Sequence, residues 1–312
     1  MANLKILVTG ASGVVGRRLV LALAGAGHQV RGVARTDAQR EALRRAGAGA
    51  VSADLFDPRS LRRATVGCDA VINLATHMPS SSTQMLRRSA WKENDRIRAV
   101  GSANLVDAAL AEGVGRFVQE SFAPVYPDRG DEWIDEQTAL RTAPYNRTIL
   151  DAENSAARFT AGGRTGIVLR FAAFYGPDSR FLLEAIGHVR HGRSFLPGSP
   201  GAYVSSISHD DAASAAAAAL YIPAGVYNVT DDEPVTRRDY FESLAQALGV
   251  PAPRPFPVWM KLLLGSLSEL LSRSQRISNL KLRSVSAWEP KYRSVREGWP
   301  SVVAALGRMA AA

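Results

Sequence analysis

The stretch from Leu4 to Gly16 constrains the fold more than any other part of the chain. A short apolar run rich in β-branched residues, Ile6-Leu7-Val8-Thr9, leads into Gly10, Gly13 and Gly16, and an amphipathic run through Leu19, Val20 and Leu23 follows. That pattern is strand, tight turn, helix. Each glycine has a physical reason: a turn that a Cβ would obstruct, close approach of backbone to a pyrophosphate, and close packing of helix on strand. The helix then points unpaired N–H groups and the positive end of its dipole at the phosphates. Three glycines alone are a weak sign, so the rest of the chain must supply the context.

Alternation supplies it. Residues 29–34 alternate as a half-buried strand, a helix is expected over 37–46, and strands over 50–53 and 70–75. A long helix running from Gln84 or Trp91 to Glu112 precedes a strand over 116–120. Ala143-Pro144-Tyr145 opens another helix, followed by a strand over 166–171, an alanine-rich helix over 211–220 and a strand over 225–229. Strands alternating with helices give a parallel sheet that binds ligands at the carboxyl ends of its strands. The expected fold is therefore α/β, a Rossmann-type doubly wound parallel sheet with a smaller C-terminal substrate-binding lobe. Residues 1–177, with 203–230 returning to them, form the dinucleotide-binding domain; 178–202 and 231–312, including the greasy run 258–264, form the lobe.

Arg35 ends the second strand, where an acid would bond a ribose 2′-hydroxyl and an arginine suits a 2′-phosphate, so NADP(H) is favoured over NAD(H). Asp54, at the end of the third strand, suits the adenine edge. The net charge of +9 fits phosphorylated ligands better than nucleic acid, because the arginines are spread along the chain. A single cysteine, Cys68, excludes an intramolecular disulfide and a cysteine-rich metal site. His188 and His191 share a helical spacing but lie among arginines and read as a basic face, so no metal is expected. No apolar run approaches the ~18 residues of a membrane span, and the chain enters directly into its first strand. A cytoplasmic location with no membrane partner is expected.

With these residues in place the chain resembles the extended short-chain dehydrogenase/reductase family, which includes nucleotide-sugar epimerases and dehydratases. The resemblance spans nearly the whole chain. It is carried by Thr9-Gly10-x-x-Gly13-x-x-Gly16, Asp54-Leu55, Asn73-Leu74-Ala75, residues 118–126, Pro144-Tyr145, and residues 169–177, 208–213 and 227–234. It implies that Gly10, Ser12, Gly13, Val14, Val15, Gly16, Arg35, Asp54, Leu55, Leu74, Ala75, Thr76, Tyr145, Phe171 and Phe174 contact the cofactor. Phe122, Tyr126, Tyr175 and His209 would line the substrate cleft, and the helical regions 91–112 and 145–161 would form a homodimer.

The family's relay uses a tyrosine that exchanges a proton with the substrate, a lysine four residues later that lowers the tyrosine's pKa and holds the nicotinamide ribose, and a Ser or Thr that orients the substrate. Here Tyr145 is present, but the lysine position holds Ile149, the Ser or Thr position holds Phe122 beside Ser121, and the helix asparagine falls on Arg98. An unassisted phenol with a pKa of about 10 is a poor base at neutral pH but already a proton donor, so ketone reduction is less impaired than alcohol oxidation. Glu120 shares a strand face with Phe122 and would serve as an acid or base or pair with an arginine; His77, which follows the strand over 70–75, is a further candidate for proton transfer.

Three functions stay open. One is an NADP(H)-dependent oxidoreductase or epimerase-like enzyme on a small oxygenated metabolite, a nucleotide-sugar or natural-product intermediate, with Tyr145 as proton donor. Another is a non-redox lyase, cyclase or isomerase using Glu120, His77 or Tyr145. The third is a catalytically silent NADP(H)-binding protein.

Overall fold

The computed structural model describes residues 3–79, 81–85, 87–143, 146–194, 196–256, 269 and 271–311. Pro144, Tyr145 and the run 258–264 lie outside the described residues. Seven strands form one parallel sheet: β1 (Lys5–Thr9), β2 (Gln29–Val33), β3 (Gly49–Val51), β4 (Ala70–Asn73), β5 (Arg116–Phe122), β7 (Thr165–Phe171) and β11 (Gly225–Val229). Their spatial order is β3-β2-β1-β4-β5-β7-β11. The other strands are short: β6 (Trp133–Ile134), β8 (Ala173–Tyr175), β9 (Tyr203–Val204), β10 (Ser206–Ser208), β12 (Val235–Thr236) and β13 (Arg276–Ile277).

Side-chain alternation explains why both faces are covered. On β1, Ile6 and Val8 enter one cluster, with Leu19, Val20 and Leu23 of α1 (Gly16–Gly25) and the alanines of the helix His209–Ala218. Leu7, between them, enters the opposite cluster, with residues of the helices Pro58–Thr65, Ser102–Ala111 and Ile149–Ala161. A strand that sends alternate side chains into two apolar layers is buried on both sides, as a doubly wound sheet requires. A third cluster, built around Tyr175, Tyr240, Phe241 and Trp299, packs separately from the sheet. Among the described residues no helix is long and apolar enough to cross a membrane.

Of the two starts expected for the long helix, the one at Trp91 is observed: Lys92–Arg96, a π turn Ile97–Gly101 and Ser102–Ala111 follow without a break, and Ser82–Met85 and a 3₁₀ turn Arg88–Trp91 precede them. The helix expected to open at Ala143 begins at Ile149 instead. The side-chain oxygen of Asn146 accepts from the Ala143 amide at 2.6 Å, which closes a turn ahead of the helix.

Just beyond β11, Asp231 is 1% exposed. Ser206 donates to one carboxyl oxygen at 3.0 Å, and the other has no partner among the described residues. Burial raises its pKa well above the ordinary carboxyl value, so the protonated form is the one the fold accommodates. A group whose folded pKa exceeds its unfolded pKa stabilises the fold at low pH and loses that contribution as pH rises through the folded value. Urea unfolding followed against pH should show the native chain losing more stability above the normal carboxyl range than Asp231→Asn does; parallel curves would contradict this.

Candidate functional site at the carboxyl edge of the sheet

The chain runs from β1 outward to β3 in one direction, then returns to β4 and continues the other way, so the crevice between β1 and β4 is the topological switch point. Gly10 ends β1 there with φ of +65°. A Cβ on Gly10 would collide with the Leu74 carbonyl after β4, and one on Gly16 with the Gly10 carbonyl. The Gly13 amide closes the turn by donating to the Gly10 carbonyl at 2.9 Å. At the start of α1 no side chain caps the helix. An uncapped helix end behind a turn without Cβ atoms fits a pyrophosphate.

Around this turn, Ser12, Gly13, Arg35, Asp54 and Thr76 are exposed, and Val14, Leu55, Leu74 and Ala75 are half-buried, whereas Val15 is buried. Gln39 ties two of them together: its amide donates to Ser12 Oγ at 3.1 Å, and its carbonyl oxygen accepts from the Arg35 amide at 2.8 Å. Gln39 also completes a capping box with Thr36 at the start of the second helix, Asp37–Arg45. The loop carrying Arg35 is thereby fixed beside the glycine turn.

Buried polar contacts stitch the strand ends together. Thr9 Oγ1 donates to Asn73 Oδ1 at 2.5 Å, and Asn73 Nδ2 donates to Gln119 Oε1 at 2.9 Å, which aligns the ends of β1, β4 and β5. After β4, the exposed His77 is held through its amide, which donates to Asn94 Oδ1 at 2.9 Å.

At the end of β5 two arginine–carboxylate pairs lie side by side. Arg170 of β7 grips both oxygens of Glu153 with one edge of its guanidinium, Nε to Oε1 at 2.8 Å and Nη2 to Oε2 at 2.7 Å. Ser121 donates to the same carboxylate at 2.5 Å, and Arg170 reaches on to the Tyr126 hydroxyl at 2.8 Å. That hydroxyl donates to Asn228 Oδ1 at 2.8 Å. The other pair is looser: Arg98 donates a single bond of 3.3 Å to Glu120. Burial pushes the Glu120 carboxyl up, the Arg98 charge pulls it down, and Glu153 adds a smaller upward push.

Several expected site residues are therefore corrected. Ser121 is buried and spends its hydroxyl on Glu153, so it orients structure rather than substrate. Tyr126 is fully buried with its hydroxyl bonded, and burial pushes its phenol up to about 12. Tyr175 is fully buried against Trp299, with ring centroids 5.0 Å apart. His209 is buried with Nδ1 on Asp178 at 2.8 Å; desolvation, reinforced by Arg18, lowers its pKa to about 4, so it is neutral. None of these three lines an open cleft. Phe171 is likewise core, whereas Phe122 and Phe174 are half-buried at the edge. Ile149 is 0% exposed at the start of its helix and brings no charge to the site.

The sequence reading passed over Glu153 and Arg170. The signal was a charged residue inside the apolar strand Ile-Val-Leu-Arg-Phe, since a buried arginine demands a carboxylate. A groove of about 850 Å³ lined by Trp133, Glu136, Asp232 and Lys281, among others, lies beside the outer strand β11. Three strands, β7, β5 and β4, separate β11 from the strand that leads into the glycine turn.

Comparison with known proteins gives a family, two relatives and a structural likeness. Residues 6–229 match the model of the NAD dependent epimerase/dehydratase family. The chain is 32% identical, over 95% of its own length and 99% of the relative's, to a 3-diazoavenalumate denitrifying reductase from a Streptomyces species. It is 27% identical, over 80% of its length and 77% of the relative's, to a 2-alkyl-3-oxoalkanoate reductase of Stenotrophomonas maltophilia. Among solved structures, human epimerase family protein SDR39U1 with NADPH superposes with a TM-score of 0.78 at 18% identity, covering 96% of this chain and 99% of that one, which is a likeness of fold.

Removing one partner of a buried, fully bonded pair leaves an uncompensated charge. Arg170→Met should destabilise the protein by roughly 3–5 kcal/mol in urea unfolding. A loss below about 1 kcal/mol, the worth of an exposed pair, would contradict the structural role assigned here.

Proposed function

The chain belongs to the NAD dependent epimerase/dehydratase family, and on that premise we propose that it is an NADP(H)-dependent reductase of a small oxygenated metabolite, with Tyr145 as proton donor. When bound, the cofactor supplies a hydride from nicotinamide C4. Gly10, Gly13 and the uncapped start of α1 would hold the pyrophosphate, and Arg35, with Ser12 and Gln39 beside it, the 2′-phosphate. The lobe made of residues 178–202 and 231–312 would carry the substrate.

The observation that carries the reductive direction is the buried isoleucine at position 149. A base at this site would need a nearby cation to make tyrosinate available, and isoleucine offers none. A reduction asks only for a donor, which a neutral phenol already is. The reductase names of both relatives point the same way. Tyr145→Phe should lower kcat for NADPH-driven ketone reduction by about 10²–10⁴-fold; unchanged turnover would remove Tyr145 from the chemistry.

A second reading is favoured by the 32% identity to a denitrifying reductase. An aryl diazonium that accepts a hydride becomes the arene and dinitrogen, a reaction that leaves no alkoxide to protonate and so dispenses with the relay. Dinitrogen release from a diazo-substituted aromatic acid, unaffected by Tyr145→Phe, would select this reading.

Cofactor choice is tested separately. Charge-assisted bonds to a phosphate contribute about 1.5–3 kcal/mol, so Arg35→Asp should weaken NADPH binding in calorimetric titration by roughly 10–100-fold. NADH binding should hold or improve. Equal losses for the two nucleotides would show that Arg35 does not read the 2′-phosphate.

A further inference from the structure

After β8 the chain crosses into the helix Arg180–Arg190, whose Leu182, Ala185, Ile186 and Val189 pack into the third apolar cluster with Tyr240, Phe241 and Trp299. β8 straddles the boundary, with Phe174 packed against the sheet's cluster and Tyr175 inside the third. Gly176-Pro177-Asp178-Ser179 make the crossing. The Ser179 amide donates back to the Gly176 carbonyl at 3.2 Å, and Ser179 Oγ accepts from the Leu182 amide at 3.3 Å to cap the helix. These bonds are local, whereas the side chain of Asp178 reaches two other elements.

That side chain is 13% exposed, and both of its oxygens are taken. Oδ2 accepts from Arg18 Nη1 at 2.8 Å and pairs with Arg17; Oδ1 lies 2.8 Å from His209 Nδ1. A carboxylate only accepts, so Nδ1 carries the hydrogen. Gly176 makes the room, because a Cβ there would collide with the His209 ring. Arg17 and Arg18 stand in the first turn of α1, the helix whose uncapped start follows the glycine turn. Arg18 Nη1 also donates to the Val14 carbonyl at 2.7 Å, so a single nitrogen holds the Asp178 carboxylate beside that turn. Helix starts favour anions, and the pyrophosphate assigned to this one is an anion. A second negative charge held next to it opposes its binding. What the contact supplies is register: it joins the third cluster to the helix that holds the cofactor.

We propose that Asp178 is a positioning residue: it holds the lobe in register with the cofactor helix, and it does so against cofactor affinity. This rests on the cofactor site proposed above and not on the reaction assigned to it. Removing the charge has two effects of opposite sign. The crossing turn loses its anchor, so the helix Arg180–Arg190 loosens. Arg17 and Arg18 lose a carboxylate beside the phosphates, so the nucleotide binds more tightly. Asp210 separates the two effects. It also pairs with Arg18, but it is 63% exposed and sits at the start of the helix His209–Ala218, whose alanines pack with the sheet rather than in the third cluster.

The test uses the full-length protein and variants Asp178→Asn, Arg18→Met and Asp210→Asn. In calorimetric titration Asp178→Asn should bind NADPH and NADH alike more tightly, by about 3–10-fold, the order of one unit charge acting on a pyrophosphate through wet surroundings. Hydrogen exchange in the helix Arg180–Arg190 should quicken by about 10–100-fold, the worth of a charge-assisted bond, while β1 and β4 keep native protection. Arg18→Met should quicken exchange in the same helix but weaken nucleotide binding, because it removes a cation instead of an anion. Asp210→Asn should leave exchange in that helix native. Unchanged or weaker nucleotide binding in a folded Asp178→Asn overturns the proposal, as does native exchange of Arg180–Arg190 in that variant. Quickened exchange there in Asp210→Asn overturns it too, since the effect would then belong to Arg18 and not to the tie. If Asp178→Asn loses protection in β1 and β4 as well, it has unfolded and Arg18→Met decides: faster exchange confined to Arg180–Arg190 with weaker binding supports the tie, and native exchange overturns it. Failure of the native protein to bind either nucleotide overturns the cofactor site and this role with it. Tight binding without turnover overturns the reductase reading alone.

Discussion

Main chain packed on main chain at the switch point holds the rest of the structure in place. Gly10 abuts the carbonyl of Leu74, and Gly16 abuts the carbonyl of Gly10. No side chain in these contacts can rotate away, so the end of β1, the start of α1 and the end of β4 have a single relative position. From there the Thr9–Asn73–Gln119 chain extends the alignment to β5. Glu120 and Ser121, near the end of the pairing between β5 and β7, are thereby held in fixed register with Leu169 and Arg170. The sheet supplies a rigid edge, and the chemistry lies in the side chains standing on it.

The parts of this arrangement that were legible in the sequence are those written in local pattern. A β-branched run, glycines at fixed spacing and a following apolar stripe announce strand, turn and helix within a dozen residues. The alternation of Ile6, Leu7 and Val8 already implies two apolar layers. What stayed hidden depends on contacts far apart in the chain. Strand alternation puts Ser121 on a face but does not say that Glu153 waits there, and nothing local joins Tyr126 to Asn228. Tyr126, Tyr175 and His209 stand at positions the family uses for its cleft, yet depth is decided by packing, and here they are core. The π turn hid for a related reason: one extra residue in one turn barely disturbs a helical pattern read over twenty.

The placement of charge separates binding from chemistry. At the phosphate end everything agrees: an uncapped helix, Cβ-free backbone and a loop with Arg35 fixed by Gln39. At the opposite end Ile149 is apolar and fully buried, while the buried Arg98 faces Glu120. Ile149 leaves this end without a cation that would favour a phenolate, which is the ground of the reductase proposal.

The most direct measurement follows a single atom. Incubation of the protein with NADPH deuterated at C4 and a panel of ketones and diazo-substituted aromatic acids, followed by mass spectrometry, reports whether hydride leaves the cofactor. Deuterium on a product carbon, or on the nitrogen of a product intermediate that collapses to the deuterated arene, is the predicted result. NADPH that binds tightly and keeps all of its deuterium with every acceptor would contradict the reductase reading and leave a nucleotide-binding protein without redox chemistry.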